Sequence, residues 1–463
     1  KWPRLVEAHI DDRDVQLDGV VSACVGGTSI HYAATLERPE QHDLDDSPER
    51  PHPTGGWPVG YAAMQPYFDL AEKNFRISGE VDPLSAIPAP MLRPPRPVTP
   101  VDQTLTAAFR AAGLHPYQTH IAAEFPADCQ QCFGVPCNRH CKMDGRSAGV
   151  LPALGTGRAA LLDRCSVTRI EADRRVHHVL CRRDGREFTL SARFYVLAGG
   201  GVGSPLVMLR STNAHWPEGL GNRHDLVGRN LMFHLSEMIA IWPDRGIRSS
   251  GPSRAISLRD LYFVGNQRFG LIQSMGIDSD YGLILHAMRQ RFDTSALRRA
   301  RPLRPLLRLA PWVAMRALGP AKIFVGVLED LPYAQNRVVA DPGDPDRISF
   351  RYHFSDELKS RRTAFRAAIH SAFSRQRRLF ISQSPTLNFA HPCGTLRFGT
   401  DPRSSVLDPD CRVHGVDNLY VADSSFMPTS NGSNPSLTIA ANAYRVADRL
   451  AERAGVNPVP QGL

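Results

Sequence analysis

The chain has no apolar run long enough to cross a bilayer. Spanning takes roughly 20 such residues, and the most apolar stretch, residues 303–318, is broken by Arg304, Arg308 and Arg316. It reads as a basic amphipathic surface helix, with membrane contact at most peripheral. Lysine is scarce, so arginine carries nearly all the positive charge behind the net +9. The arginines are scattered and no aromatic stripe accompanies them, which argues against a nucleic-acid partner. Coding bias explains such usage, with docking of an acidic partner as the alternative. A secreted disulfide framework is missing too. Of nine cysteines, four crowd between Cys129 and Cys141. The rest (Cys24, Cys165, Cys181, Cys393, Cys411) are dispersed. A reducing, cytoplasmic setting is the expectation, with a periplasmic or membrane-associated one as alternative. No signal peptide, internal repeat or low-complexity tract is visible.

What is present suffices for a real core. The 463 residues are 42% hydrophobic and 22% charged, ordinary values for a globular chain of one composite or two domains. Glycines at 26 and 27 follow an apolar stretch, and residues 36–60 read as a long surface loop. Residues 61–75 have helical spacing, with Met64, Phe68, Ala71 and Phe75 mostly on one face. Residues 82–101 are proline-dense and read as a linker, followed by a short helix over 104–112. Strand patterns cover 160–162, 166–170, 176–181 and 187–191. Residues 193–198 form a continuous apolar run of the kind found in buried strands, and a helix begins near Pro205. Residues 230–390 alternate short apolar strands with basic helices.

The C-terminal part is the most informative. It reads His391-Pro392-Cys393-Gly394-Thr395, then Asp401-Pro402 and Ser405-Val406, then Asn418-Leu419-Tyr420-Val421-Ala422-Asp423, and Asn434-Pro435-Ser436-Leu437-Thr438. The strand over 418–422 ends at Asp423, and a carboxylate at the end of a buried strand commonly meets a cofactor. Asn434 is suited to cap a helix with Pro435 in its first position, and Gly455 to end it. Such a helix N-terminus stabilises developing negative charge. A histidine titrates near neutrality and serves as a base for a hydroxyl proton.

Across residues 391–447 these motifs closely resemble the glucose–methanol–choline oxidoreductase family. The 43 positions between His391 and Asn434 are similar to the family's spacing between its catalytic histidine and second His or Asn. Weaker matches follow in the right order. Gly26-Gly27-Thr28-Ser29-Ile30-His31 resembles the flavin-contacting loop, and Ser166-Val167-Thr168 the strand that meets the adenine. Leu197-Ala198-Gly199-Gly200 resembles a second cofactor strand. The resemblance implies an α/β fold with a discontinuous Rossmann-like FAD domain (1–60, 150–228 and 391–463). A substrate domain (61–149 and 229–390) would carry a largely antiparallel sheet. It implies FAD held by Gly26, Gly27, Thr28, Ser29, His31, Val167, Ala422, Asp423, Asn434 and Pro435. His31 would be either a covalent flavin anchor or an ordinary loop residue. It implies oxidation of a small-molecule alcohol, sugar-like or aminoglycoside-like, to an aldehyde or ketone. His391 would take the hydroxyl proton, Asn434 orient the oxygen, and the hydride pass to flavin. A flavin-containing lyase and a flavin-free binding or electron-transfer protein remain alternatives. The family's opening ADP-binding unit is not found, so the chain is expected to start inside the family's sequence.

Cys129, Cys132, Cys137 and Cys141 follow a C-x2-C-x4-C-x3-C spacing. Clustered thiolates suit an iron–sulfur cluster ([3Fe–4S] or [4Fe–4S]) ahead of zinc, with purely structural cysteines as the alternative. A cluster would relay electrons to an external acceptor.

Overall fold

The computed structural model describes residues 4–17, 21–126, 129, 132, 134–243, 247, 253–276, 302, 305, 321–341, 343–344 and 346–456. The basic helix expected over 303–318 lies outside the described residues apart from Pro305.

Six antiparallel strands form the largest sheet. Their spatial order is Arg378–Phe380, Leu235–Ile241, Lys322–Leu328, Ile272–Ser274, Ile256–Leu258 and Tyr117–Gln118. Lys322–Leu328 is buried along its whole length, as its near-continuous apolar sequence requires. The helix Asp356–Ala372 covers this sheet; Ser355 caps it by accepting from the Leu358 amide at 3.1 Å. Phe365 and Ile369 press so closely on the sheet that a Cβ at Gly326 would come within 2.7 Å of the Phe365 ring. A four-stranded sheet joins this half: Arg337–Val339, Ser349–Tyr352, Val6–Ile10 and Arg13–Leu17, in that order. Val6–Ile10 lies parallel to Ser349–Tyr352.

In the other half, Tyr195–Leu197 pairs in parallel with Leu419–Val421, and the helix Gly200–Arg210 follows. Cys165–Ala172, Val176–Arg183 and Arg186–Leu190 form a three-stranded antiparallel sheet. The helices Tyr61–Asn74 and Ser436–Ala454 share one apolar core through Phe68, Ala71, Leu437 and Ala441. Asn74 Nδ2 donates to the Tyr444 hydroxyl at 2.8 Å. The fold is thus mixed α/β with a large antiparallel sheet, the class expected.

Several local expectations need correction. Residues 34–39 are buried rather than on the surface. Opposite charges make this tolerable: Arg38 donates to Glu72 at 2.8 Å, Arg259 to Glu40 at 3.0 Å and Arg268 to Asp43 at 2.5 Å. Residues 160–162 are extended but unpaired and exposed. The run at 193–198 yields only Tyr195–Leu197, and Val196 is 46% exposed because the pair Tyr195–Leu197 and Leu419–Val421 has no further strand among the described residues. The helix expected at 104 begins at Pro100, where Thr99 and Asp102 form a reciprocal capping box. The helix Gly200–Arg210 likewise starts five residues before Pro205.

Candidate active site

Residues 391–395 are pinned from three sides. Cys393 and Met232 exchange backbone hydrogen bonds, each 3.0 Å. Ser424 Oγ donates to the Pro392 carbonyl at 2.6 Å, and Thr395 Oγ1 to the Gly201 carbonyl at 2.7 Å. Gly201 permits the contact: a Cβ there would sit 2.4 Å from the Pro392 oxygen. No other residue fits without displacing the loop that carries His391.

The pairing of Met232 with Cys393 is antiparallel. Two residues further along each strand it sets His234 opposite His391. Their Nδ1 atoms are 3.0 Å apart, and the rings meet edge to face at 4.9 Å between centroids. His234 has no accessible surface, and its Nε2 faces the Asn431 carbonyl at 2.8 Å. Burial holds its pKa down at about 4. His391 is half-buried. Its pKa is pushed well below the ordinary imidazole range by burial, then by His234 and Arg254.

Asn434 is buried, yet among the described residues its Oδ1 has no partner, and neither has Thr438 Oγ1 or Asn431 Nδ2. The helix starts at Ser436, and Pro435 occupies the capping position without a side-chain bond. The expectation that Asn434 caps this helix is therefore corrected: the proline ring holds the helix entry, and the amide oxygen is left over. Buried polar atoms are rarely left unsatisfied, so three around one turn suit a bound polar group.

Asp423 is placed differently from Asn434. Its Oδ2 accepts from the Gly200 amide at 2.9 Å and the Ser204 hydroxyl at 2.5 Å; its Oδ1 accepts from Ser425 through amide and hydroxyl. Burial nonetheless raises its pKa. The carboxylate ties the strand Leu419–Val421 to the helix Gly200–Arg210, and Ala422 continues the ladder by donating to the Leu197 carbonyl at 2.9 Å. Val167 stands beside a bulge in its strand, 45% exposed.

The glycine loop folds as a 3-10 turn, Gly27–His31, and its first glycines have positive φ: 92° at Gly26 and 59° at Gly27. At Gly26 a Cβ would also strike the Arg146 amide at 2.9 Å. Ser29 Oγ closes the turn by donating to the Gly26 carbonyl at 2.5 Å and receives the Gly145 amide at 2.9 Å. Thr28 lies within the turn, and His31, its last residue, is half-buried.

The cysteine run docks on this loop through Lys142. Its buried ammonium donates to the Ile30 and Tyr32 carbonyls on one side and to those of Cys132 and Val135 on the other, at 2.7–3.0 Å. The thiols gather around Cys137, which hydrogen-bonds with Cys132 and Cys141. Burial raises its pKa, but amide donors from Lys142, Arg139 and Cys141 outweigh that and lower it. Cys129 contributes to the same local field. Even so, among the described residues no three His, Cys, Asp or Glu side chains are arranged to hold a metal ion. Proximity alone is thus weaker support than a ligand shell.

Sequence reasoning named His391 and Asn434 and did not name His234. Its flanking Leu231, Phe233 and Leu235 are all buried. A histidine inside so apolar a run must find partners for both ring nitrogens, and that was the available signal. A cleft of about 550 Å³ between Arg50, Phe263, Glu357 and Arg361 is lined by none of these site residues.

Comparison with known proteins fits this geometry. Residues 19–236 and 332–443 match the two GMC oxidoreductase family models. The chain is 28% identical to 6'''-hydroxyparomomycin C oxidase of Streptomyces lividus, over 92% of this chain and 78% of that protein. It is 25% identical to the fructose dehydrogenase large subunit of Gluconobacter japonicus, over 97% and 83%. Among solved structures it shares its fold with pyridoxine 4-oxidase from Mesorbium loti. There the TM-score is 0.62 and identity 18%, covering 98% of this chain and 89% of that one. No described helix is long and apolar enough to cross a membrane.

Proposed function

Since the chain belongs to the GMC oxidoreductase family, FAD-dependent enzymes acting on CH–OH groups, we propose that it oxidises an alcohol on a sugar-like or aminoglycoside-like substrate, with His391 as base. The observation that carries this reading is the half-buried His391, its pKa pushed well down, joined through His234 to the Asn431 carbonyl of the segment whose buried Asn434 amide oxygen has no partner among the described residues. An uncharged imidazole accepts the hydroxyl proton, and Asn434 orients the substrate oxygen. Bound FAD supplies the hydride acceptor. Gly26, Gly27, Thr28, Ser29 and His31 would hold it from one side, with the backbone at Val167 meeting its adenine. Ala422, Asp423, Asn434 and Pro435 would hold it from the other. The helix Ser436–Ala454 aims its N-terminus toward that side, where partial positive charge favours developing negative charge.

The substrate class rests on relatives named as oxidases of aminoglycosides, including paromamine 6'-oxidase of Streptomyces fradiae, 28% identical over 92% of this chain. The cysteine run is proposed to seat an iron–sulfur cluster leading to an external acceptor. The thiols gathered around Cys137 support this, although no three-ligand group is arranged among the described residues. The test is product analysis. The holoenzyme is incubated with paromamine, related aminoglycosides, fructose and simple alcohols, and products are read by mass. Loss of two hydrogens from an aminoglycoside or sugar is expected; turnover of simple alcohols alone would contradict the substrate class.

A further inference from the structure

The geometry points to His234 as the positioning residue that fixes the tautomer of His391, forcing its proton onto Nδ1 and leaving Nε2 as the free base. This rests on the reading of His391 as the base. Asn431 has a φ of 60°, a left-handed conformation that asparagine tolerates. Its carbonyl oxygen can only accept. At 2.8 Å it therefore requires a proton on His234 Nε2, and the Ser430 carbonyl faces the same ring. Burial keeps His234 uncharged, so its Nδ1 bears only a lone pair. That lone pair lies 3.0 Å from His391 Nδ1. Two facing lone pairs would repel, so His391 must donate from Nδ1.

A free histidine side chain prefers the other tautomer, with its proton on Nε2. Here the preference is reversed by a carbonyl two steps away. The nitrogen left unprotonated is the one not engaged by the pair. When Nε2 takes a substrate proton, the Nδ1–H bond to His234 persists and strengthens, because its donor becomes cationic. The only other polar neighbour of His391 Nδ1 described is Asn388, whose amide nitrogen stands 3.3 Å away while its oxygen takes the Ala390 amide at 3.2 Å. Turning that amide over presents its oxygen to the same Nδ1 proton in exchange for the bond from the Ala390 amide. The charged group that bears on His391 is Arg254, itself bonded to the Ser274 carbonyl and the Thr35 hydroxyl. His234 is the other titratable neighbour.

The test uses the holoenzyme labelled with 15N-histidine, His391 being identified by its disappearance in His391→Gln. At pH 7, His391 should show a protonated-type Nδ1 and an unprotonated Nε2. A proton on Nε2 would overturn the inference, whatever the activity. In His234→Leu the acceptor is lost, and His391 should revert to the Nε2–H form. Turnover should then fall by about 10²-fold with little change in KM. His234→Asn places an amide oxygen near the lost Nδ1 and should recover most of that rate. If His234→Leu does not fold, the wild-type tautomer and the Asn variant still decide. Full activity in His391→Gln would sink the role of His391 as base but leave the tautomer measurement standing, so the two failures are separable.

Discussion

Residues 391–438 and residues 129–141 both carry candidate chemistry, and they are held in opposite ways. The first segment is buried, with its turns fixed by backbone bonds to Met232 and by close contact with Gly201. Few buried polar atoms are left over among the described residues, and three of them belong to Asn431, Asn434 and Thr438. The second is half-exposed and fastened chiefly through the ammonium of Lys142. A rigid frame with a few unsatisfied groups specifies a reaction. A loop with thiols close together specifies only a neighbourhood.

The sharpest way to break this contrast is His391→Gln, which should lower kcat by about 10³-fold while flavin content and melting temperature hold. A loss of less than tenfold would place the base elsewhere. Next comes pH. Below pH 6.5 the unfolded chain protonates the residue corresponding to His234, whereas the folded protein refuses that proton down to about pH 4. Stability from this group is therefore complete above pH 6.5 and lost as pH falls through that window, by about 3 kcal/mol. Urea midpoints at pH 7 and 4.5 should show a smaller drop for His234→Asn than for wild type. Asn434→Ala should cost about 10² in kcat and little stability, because its oxygen bonds nothing among the described residues; a large stability loss would mean a structural role. Gly201→Ala should cost about 1–3 kcal/mol through overlap with Pro392, read by denaturant unfolding. Smallest is Cys137→Ser: iron and acid-labile sulfide should vanish from the purified protein while flavin reduction by substrate is unchanged. No iron in the anaerobically purified wild type would end the cluster proposal.

The same contrast explains what was legible in the sequence. His391, Asn434 and the strand ending at Asp423 lie in a compact motif, where each residue type has one obvious chemical use. The helix Tyr61–Asn74 was legible because an apolar face repeats at helical spacing. Residues 34–39 were misread, since single-chain polarity cannot show that Glu72 and Arg259 arrive from far along the chain to neutralise Arg38 and Glu37. His234 was missed for the same reason. Its role comes from an antiparallel pairing with residues 157 positions away. The role of Asn434 as a cap was plausible locally and lost to the proline that follows it.

The most direct test is anaerobic flavin reduction. Purified holoenzyme is mixed with its alcohol substrate without oxygen, and the visible flavin absorbance is followed in wild type and in His391→Gln. Rapid bleaching in wild type that slows by about 10³-fold in the variant is the expected result. A flavin that stays oxidised in wild type with every sugar and aminoglycoside tried, or one that bleaches equally fast in both proteins, would contradict alcohol oxidation with His391 as base.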